Sequence, residues 1–172
     1  EKVQMTGEQL TMAQKELVQR VSELATVNEI SKAITSVLEM DELLSLCLKE
    51  INEKLKVKHS SIMLIDEDGD GLVVKACHGD RSKQALGKTQ KIDEGVAGRV
   101  ITERKPILVA DIRRDNRFNR SERPDYKTKS FVSAPLIVEE RVLGVINVID
   151  KVSGDSFCET DVNLLCTIAG QF

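Results

Sequence analysis

The stretch Ser130–Asp161, SFVSAPLIVEERVLGVINVIDKVSGDSFCETD, decides how this chain folds. Its segments FVSAPLIV and RVLGVINVI are rich in apolar and β-branched residues, and the charged residues between them, Glu139–Arg141, have the brevity of a hairpin loop. We therefore predict an antiparallel hairpin at the centre of a sheet. Gly144 predicts a bulge or the close approach of another backbone, and Pro135 is expected at a bulge or with its nitrogen facing away from a partner strand.

Weaker patterns on either side of the hairpin predict further strands and helices. Asp41 is a good N-cap for a helix with a wide apolar face, and such breadth predicts deep burial. The polar stretch from Gly79 to Lys91 predicts no regular element. The expected elements are strands His59–Ile65, Leu72–His78 and Ile107–Ala110, a short helix from near Asp93 to Pro106, and a last helix Thr160–Phe172.

The first part of the chain predicts a long helix, because residues 1–38 contain no proline and a single glycine near the start. Val3, Leu10, Leu17 and Leu24 recur every seven residues, and Asn28 falls at a seam position where asparagine specifies parallel dimers. The phase slips after Leu24, as at a stutter. A coiled-coil dimer seam and a helix packed on its own domain both fit this pattern. We expect a signalling helix over residues 1–33 and a globular domain over residues 34–172.

Length and composition limit the classes of protein to which this chain can belong. A chain of 172 residues with 31% charged residues fits one globular domain and an appendage, with no apolar run long enough to cross a bilayer and no signal peptide. A net charge of −3 gives no general attraction to nucleic acid. The four cysteines have no framework spacing, which favours free thiols in the cytoplasm. The start without Met and the end within an apparent helix suggest a piece of a larger protein.

The hairpin also resembles a known family. APLIV, a charged turn, VLGVINV and then Asp150-Lys151, Phe157 and Asp161 are similar to the GAF domain, a ligand-binding module of signalling proteins, over about residues 34–172. The resemblance implies an α+β fold with a central antiparallel sheet of about six strands and helices on both faces. It also implies a sensory or regulatory module of a bacterial signalling protein, with an attached output domain and a homodimer through the N- and C-terminal helices.

The resemblance implies a ligand site as well. In cyclic-nucleotide-binding relatives, Lys and Asp of an Asn-Lys, Phe, Asp-Glu pattern tie the last strand to the last helix. Lys151 and Asp161 match that structural clasp, whereas Asp150 and Val162 replace the Asn and Glu. By position, the ligand-binding residues are Ser61, Cys77, His78, Val96, Ala97, Arg113, Asn119, Thr128 and Asn147.

This pattern of residues does not identify the ligand. Cys77, His78 and Asn147 depart from the residues of cyclic-nucleotide binders, so a purine is hard to place. Residues 113–129 hold seven basic and three acidic side chains, and this basic loop favours a small anionic metabolite or nucleotide, with no certain cofactor. A solvated loop with no bound anion is the other interpretation. We expect ligand binding to close the loop and shift the terminal helices against their dimer mates.

Two other functions remain open. The first is a structural dimerisation module whose pocket is filled by its own side chains. The second, more remote, is a thiol-dependent methionine sulfoxide reductase, as in an enzymatic branch of the family, although Cys77 is the only cysteine between Cys47 and Cys158. No catalytic set, phosphate loop or zinc pattern is present, so we expect a non-enzymatic protein without a metal site. Contact with nucleic acid or membrane is not expected.

Overall fold

The computed structural model describes residues 2–80, 82–111, 115, 117 and 130–171, without the side chains of residues 2–11, 13 and 33. The chain forms two compact units, Glu1–Met40 and Asp41–Phe172. The elements are α1 (Lys2–Leu55), β1 (Val57–Ile65), β2 (Gly71–His78), α2 (Ser82–Ala85), β3 (Thr89–Lys91), α3 (Gly95–Glu103), β4 (Ile107–Val109), β5 (Phe131–Val138), β6 (Arg141–Lys151) and α4 (Glu159–Ala169). No helix in the described part of the chain has the length and apolarity needed to span a membrane.

The six strands form one antiparallel sheet in the order β3-β2-β1-β6-β5-β4, so the fold is α+β as predicted. The hairpin β5–β6 and strand β1 lie at its centre. Glu139 and Glu140 both have left-handed φ angles, 47° and 69°, which is the geometry of a tight two-residue hairpin turn. Two strands of three residues, β3 and β4, form the sheet edges.

Gly144 lies at a β-bulge and also where the backbones of β6 and β1 approach each other closely. The register between β5 and β6 shifts by one residue after Leu136, which pairs with Gly144, while Ile137 pairs with Val142. A Cβ on Gly144 would lie 2.0 Å from the Met63 carbonyl oxygen on β1. Both expectations for Gly144 are therefore confirmed, since no side chain fits between these two central strands.

Each face of the sheet has its own apolar core. On one face, α1 and α4 contribute Leu44, Ile51 and Leu165, which are at most 4% exposed and pack against sheet residues such as Ile146. On the other face, α3 contributes Val96, Ala97 and Val100. Helices on both faces match the prediction.

The helix expected to begin at Asp41 is not separate. α1 runs unbroken from Lys2 to Leu55, because residues 38–43 contain no glycine or proline and an aspartate alone does not end a helix. Its apolar face is also narrower than predicted, since Leu43 and Leu46 are 39% and 55% exposed. Two short elements in the stretch Gly79–Lys91, α2 and β3, were missed because their few residues show no periodicity.

The unit Glu1–Met40 is helical and leaves apolar side chains in solvent. Val27, Ile30, Ile34 and Val37 follow one another at spacings of three and four residues and are 54–59% exposed. Leu24 is 69% exposed. These residues form a continuous apolar stripe of the kind that a partner helix covers.

Candidate functional site

A row of polar side chains crosses the sheet on the face that α3 covers. The strand registers pair Cys77 with Ser61, Ser61 with Asn147, and Asn147 with Ser133. The row therefore crosses β2, β1, β6 and β5 in order. We call these four residues the polar row. Three of them, Ser61, Cys77 and Asn147, are predicted site residues that lie far apart in the sequence.

Apolar rows enclose the polar row on both sides along the sheet. One flanking row contains Met63 and Val145, and the other contains Phe131 and Ile149. Val96 and Ala97, each 6% exposed, belong to the same apolar cluster. An apolar wall crossed by a few polar groups is the usual make-up of a small-molecule site.

The polar row is internally hydrogen-bonded. The Ser133 hydroxyl is fully buried and donates to Asn147 Oδ1 at 2.7 Å, while Asn147 Nδ2 donates to Ser61 Oγ at 3.4 Å. The second contact is long for a hydrogen bond, so a better acceptor could replace Ser61 at this amide. The first contact holds the Asn147 amide in one orientation. Ser133 was missed by the sequence analysis, because a serine within an apolar strand does not reveal which residue lies opposite.

The Cys77 thiol is engaged away from this amide. Its Sγ donates to the Ser82 carbonyl oxygen of α2 at 2.9 Å. Burial raises the pKa of the Cys77 thiol, against the opposite effect of a hydrogen bond from the Leu86 backbone. The thiolate needed for nucleophilic chemistry is therefore disfavoured here.

His78 does not share this site. Successive strand residues point to opposite faces, so Cys77 packs against the apolar cluster on the α3 side and the exposed His78 points away from that cluster, although both residues line a groove beside α1. Both residues therefore line one groove, and their role in binding a ligand stays a prediction. Arg113, Asn119 and Thr128 lie outside the described residues.

The clasp residues Lys151 and Asp161 are paired. Lys151 Nζ lies 3.0 Å from both carboxylate oxygens of Asp161, and 5.7 Å from the ring centroid of Phe157. The Cys158 N–H also donates to Asp161 at 2.8 Å, which caps α4. Burial raises the pKa of Asp161, but the hydrogen bonds from Cys158 and Lys151 outweigh it and hold the pKa below its ordinary value.

Both ends of the basic loop are tied to the segment that precedes α4. The Ser156 hydroxyl donates to the Ala110 carbonyl at 3.1 Å, and the Phe157 N–H donates to the buried Ser130 hydroxyl at 2.9 Å. Ala110 precedes the loop and Ser130 follows it. A change in the spacing of these two residues therefore reaches Ser156 and Phe157 directly, next to the cap of α4.

Within the loop, Arg117 and Asp115 form an ion pair beside the edge strand. Arg117 Nε donates to Asp115 Oδ1 at 2.8 Å, and Arg117 Nη2 donates to the Leu108 carbonyl of β4 at 2.8 Å. The hydrogen bonds from Arg117 lower the pKa of Asp115. Arg117 therefore occupies the outer edge of β4.

Comparison with known proteins identifies one family and several relatives within larger proteins. A family model described as GAF domain matches residues 37–172. The Nif-specific regulatory protein of Herbaspirillum seropedicae is 28% identical over 152 residues, 86% of this chain and 28% of that protein. The nitrogen fixation protein VnfA of Azotobacter vinelandii is 24% identical over 155 residues, 87% of this chain and 30% of that protein. This chain thus spans less than a third of these relatives.

Solved structures share the fold. Residues 122 to 287 of a methyl-accepting chemotaxis protein superpose with a TM-score of 0.66 at 24% identity, covering 80% of this chain and 90% of that one. A free methionine-R-sulfoxide reductase from Neisseria meningitidis, crystallised with its substrate, superposes with a TM-score of 0.60 at 19% identity, covering 75% of this chain and 72% of that one. At these identities the likeness concerns the fold alone.

Proposed function

Because this chain belongs to the GAF domain family, we propose that it is a sensory module of a larger bacterial signalling protein and binds a small molecule over the polar row. The observation that carries the proposal is the line Ser61–Asn147–Ser133, a set of hydrogen-bonding groups on an otherwise apolar face. The regulatory proteins among its relatives support the signalling role.

The polar row favours a ligand with a carbonyl or carboxylate group. Asn147 Nδ2 is a donor in a fixed orientation, and its 3.4 Å contact with Ser61 is weak enough to be exchanged for a shorter one. The basic residues of segment 113–129 suit a second, anionic group. The proposed ligand class is therefore a small anionic metabolite with an apolar body, such as a 2-oxo acid, or a nucleotide.

A route for the signal runs from the basic loop to α4. The loop ends at Ala110 and Ser130 are hydrogen-bonded to Ser156 and Phe157, and Phe157 lies under the clasp lysine. A ligand that favours one arrangement of the loop would shift these bonds and the start of α4. It can do so only by its difference in affinity for the two arrangements.

The test is native mass spectrometry of the purified protein, followed by a thermal-shift screen of 2-oxo acids, cyclic nucleotides and other small anions. Asn147→Leu removes the amide but keeps the branched shape and the number of heavy atoms, and it is expected to abolish the stabilisation by a hit. Asn163→Leu is the matched control, because Asn163 is exposed on α4. A stabilisation that persists in Asn147→Leu would show that the polar row does not bind the ligand.

A structural dimerisation module is the second candidate. Its support is that Ser133, Asn147 and Ser61 already bond to one another, and that the apolar stripe of residues 27–37 is exposed. It predicts no hit in the screen and a bare dimer. If removal of residues 1–25 leaves a dimer unchanged, the N-terminal seam is not the dimer interface, and coupling through that seam is refuted.

We propose that the module is not an enzyme. The cysteines are free, and burial raises the pKa of Cys77, Cys166 and Cys47, the last to about 11 with a contribution from Glu50. A thiol reductase needs an ionised thiol near neutral pH. Turnover of free methionine sulfoxide that is lost in Cys77→Ser would overturn this proposal.

A further inference from the structure

A concave surface lies beside α1, and Cys77 is the member of the polar row that lines it. It is a groove of about 780 Å³ between the last turns of α1, the C-terminal half of β2, and α2. Its lining residues on α1 run from Asp41 to Glu53, about 18 Å at 1.5 Å per residue. We call it the lysine groove. Its length suits a stretch of polypeptide better than a compact metabolite.

The floor of the lysine groove is apolar. Leu48, Val57 and Ala76 line it and are 4%, 5% and 7% exposed. At its rim, Leu86 of the turn after α2 is 57% exposed. An apolar side chain from a partner would cover Leu86 and remove apolar surface from water, which gives a binding contribution that does not depend on charge.

The walls of the lysine groove are basic. Four exposed lysines line it from both sides, against two acidic residues, in a chain whose net charge is −3. None of the four has an ion pair with another described residue. The lysines are Lys49, Lys56, Lys75 and Lys83, and the acids are Asp41 and Glu53. The groove is thus opposite in sign to the protein as a whole.

Asn52 adds a fixed polar group at the bottom of the lysine groove. Its Oδ1 accepts a hydrogen bond of 2.8 Å from the Ser60 hydroxyl of β1. The amide NH₂ group is left as a donor held in one orientation. It can meet a carbonyl or carboxylate oxygen of a bound segment.

We propose that the lysine groove docks an acidic segment of a partner polypeptide, with carboxylates against the four lysines and an apolar side chain over Leu86. The occupant follows from charge complementarity and from the length of the groove. This inference goes beyond the proposed function and does not depend on it, because the proposed ligand-binding residues Ser61, Asn147 and Ser133 lie on the other face of the sheet and do not line the groove.

The test uses the full chain and a fluorescent 15-residue amphipathic peptide with leucine on one helical face and glutamate elsewhere. Anisotropy is expected to show saturable binding that weakens with added salt. The same peptide with lysine for glutamate is expected not to bind. The double variant Lys49→Glu/Lys75→Glu should weaken binding by tenfold or more, at about fivefold for each exposed charge pair.

The matched control is Lys54→Glu/Lys88→Glu. It makes the same change of net charge at exposed lysines that do not line the groove, and Lys54 lies on the same helix as Lys49. Because the four substituted side chains make no ion pair with described residues, both variants should keep the melting temperature of the parent.

Three results would overturn the proposal. The first is equal affinity of the two double variants for the acidic peptide, or no binding at all. The second is tighter binding of inorganic tripolyphosphate than of the peptide, lost in Lys49→Glu/Lys75→Glu, which would make the groove a small-anion site. The third is loss of self-association in that variant alone, which would make a second copy of this chain the occupant.

Discussion

Breaking the ion pair between Lys151 and Asp161 should cost this domain a measurable part of its stability. The two side chains are 20% and 13% exposed, so solvent screens their attraction less than at an open surface. Asp161→Asn keeps the size of the side chain and an oxygen for the Cys158 N–H, but removes the charge. A hydrogen bond to a charged group contributes about 1.5–3 kcal/mol, and we expect a loss of about 2 kcal/mol. For a chain of this size that corresponds to a fall of about 4–8 °C in Tm.

A double-mutant cycle isolates the pair itself. Lys151→Met keeps the side-chain stem over Phe157 and removes the ammonium. We expect a coupling energy of about 1–2 kcal/mol, between the values for exposed and buried ion pairs. Asp155→Asn, an exposed carboxylate in the same segment, is the control and should change stability little. A coupling energy near zero would refute the clasp as a stabilising contact.

The clasp also predicts a pH dependence of a definite sign. The pKa of Asp161 is lower in the folded chain than its ordinary value, so the unfolded chain binds this proton more tightly. The contribution of Asp161 is therefore complete above about pH 4 and is lost as the pH falls through the folded pKa. Urea unfolding of the parent and Asp161→Asn should give a difference in stability at pH 7 that shrinks below pH 4. A difference that is constant down to pH 2 would contradict this origin.

Three further outcomes can be checked on the same protein. Gly144→Ala places a methyl group 2.0 Å from the Met63 carbonyl oxygen, so we expect a loss of about 3 kcal/mol in urea unfolding, and an unchanged midpoint would contradict the close approach. Replacing Glu139–Glu140 by Asn-Gly relieves two left-handed residues and should raise stability by about 1–2 kcal/mol, measured as the denaturation midpoint. Cys77 should react more slowly with iodoacetamide at pH 7.5 than the exposed Cys158, since burial raises its pKa; peptide mass mapping that finds equal rates would argue against this burial.

The hairpin shows how far the sequence predicts this fold. Its apolar, β-branched segments and short charged turn were enough to locate β5 and β6, and Gly144 was enough to predict a bulge. The bulge determines which residue of β6 lies opposite Ser133. Next to the turn, Val138 pairs with Arg141. Beyond the bulge the register is shifted by one residue, and Ser133 pairs with Asn147. If the register next to the turn continued without a bulge, Ser133 would face Ile146, and the part of β6 beyond Gly144 would present its other face. Register of this kind depends on three-dimensional strand pairing and cannot be read from residue types.

The candidate site was predicted only in part for a similar reason. Ser61 and Asn147 were assigned by position in a resemblance and lie side by side in the sheet. His78 was assigned by position as well, but it pairs with Ser60 and lies outside the polar row, because neighbours in a strand face opposite sides. The lysine groove was not anticipated at all. Lys49 and Lys75 are ordinary surface residues in the sequence, and only the packing of α1 beside β2 brings them to one surface.

Because the basic loop is anchored at both ends, its sequence can be replaced by another without loss of the fold. Ala110 and Ser130 are fixed by the dipeptide Ser156–Phe157, and the bonds that fix them do not involve residues 111–129. The entropy of closing a loop between fixed ends grows slowly, by about 0.6 kcal/mol for each doubling of length. Insertions, deletions or a transplanted loop should therefore leave the domain folded. Such a scaffold allows a new chemical specificity to be acquired by changing one segment, while the strands and the start of α4 stay as they are.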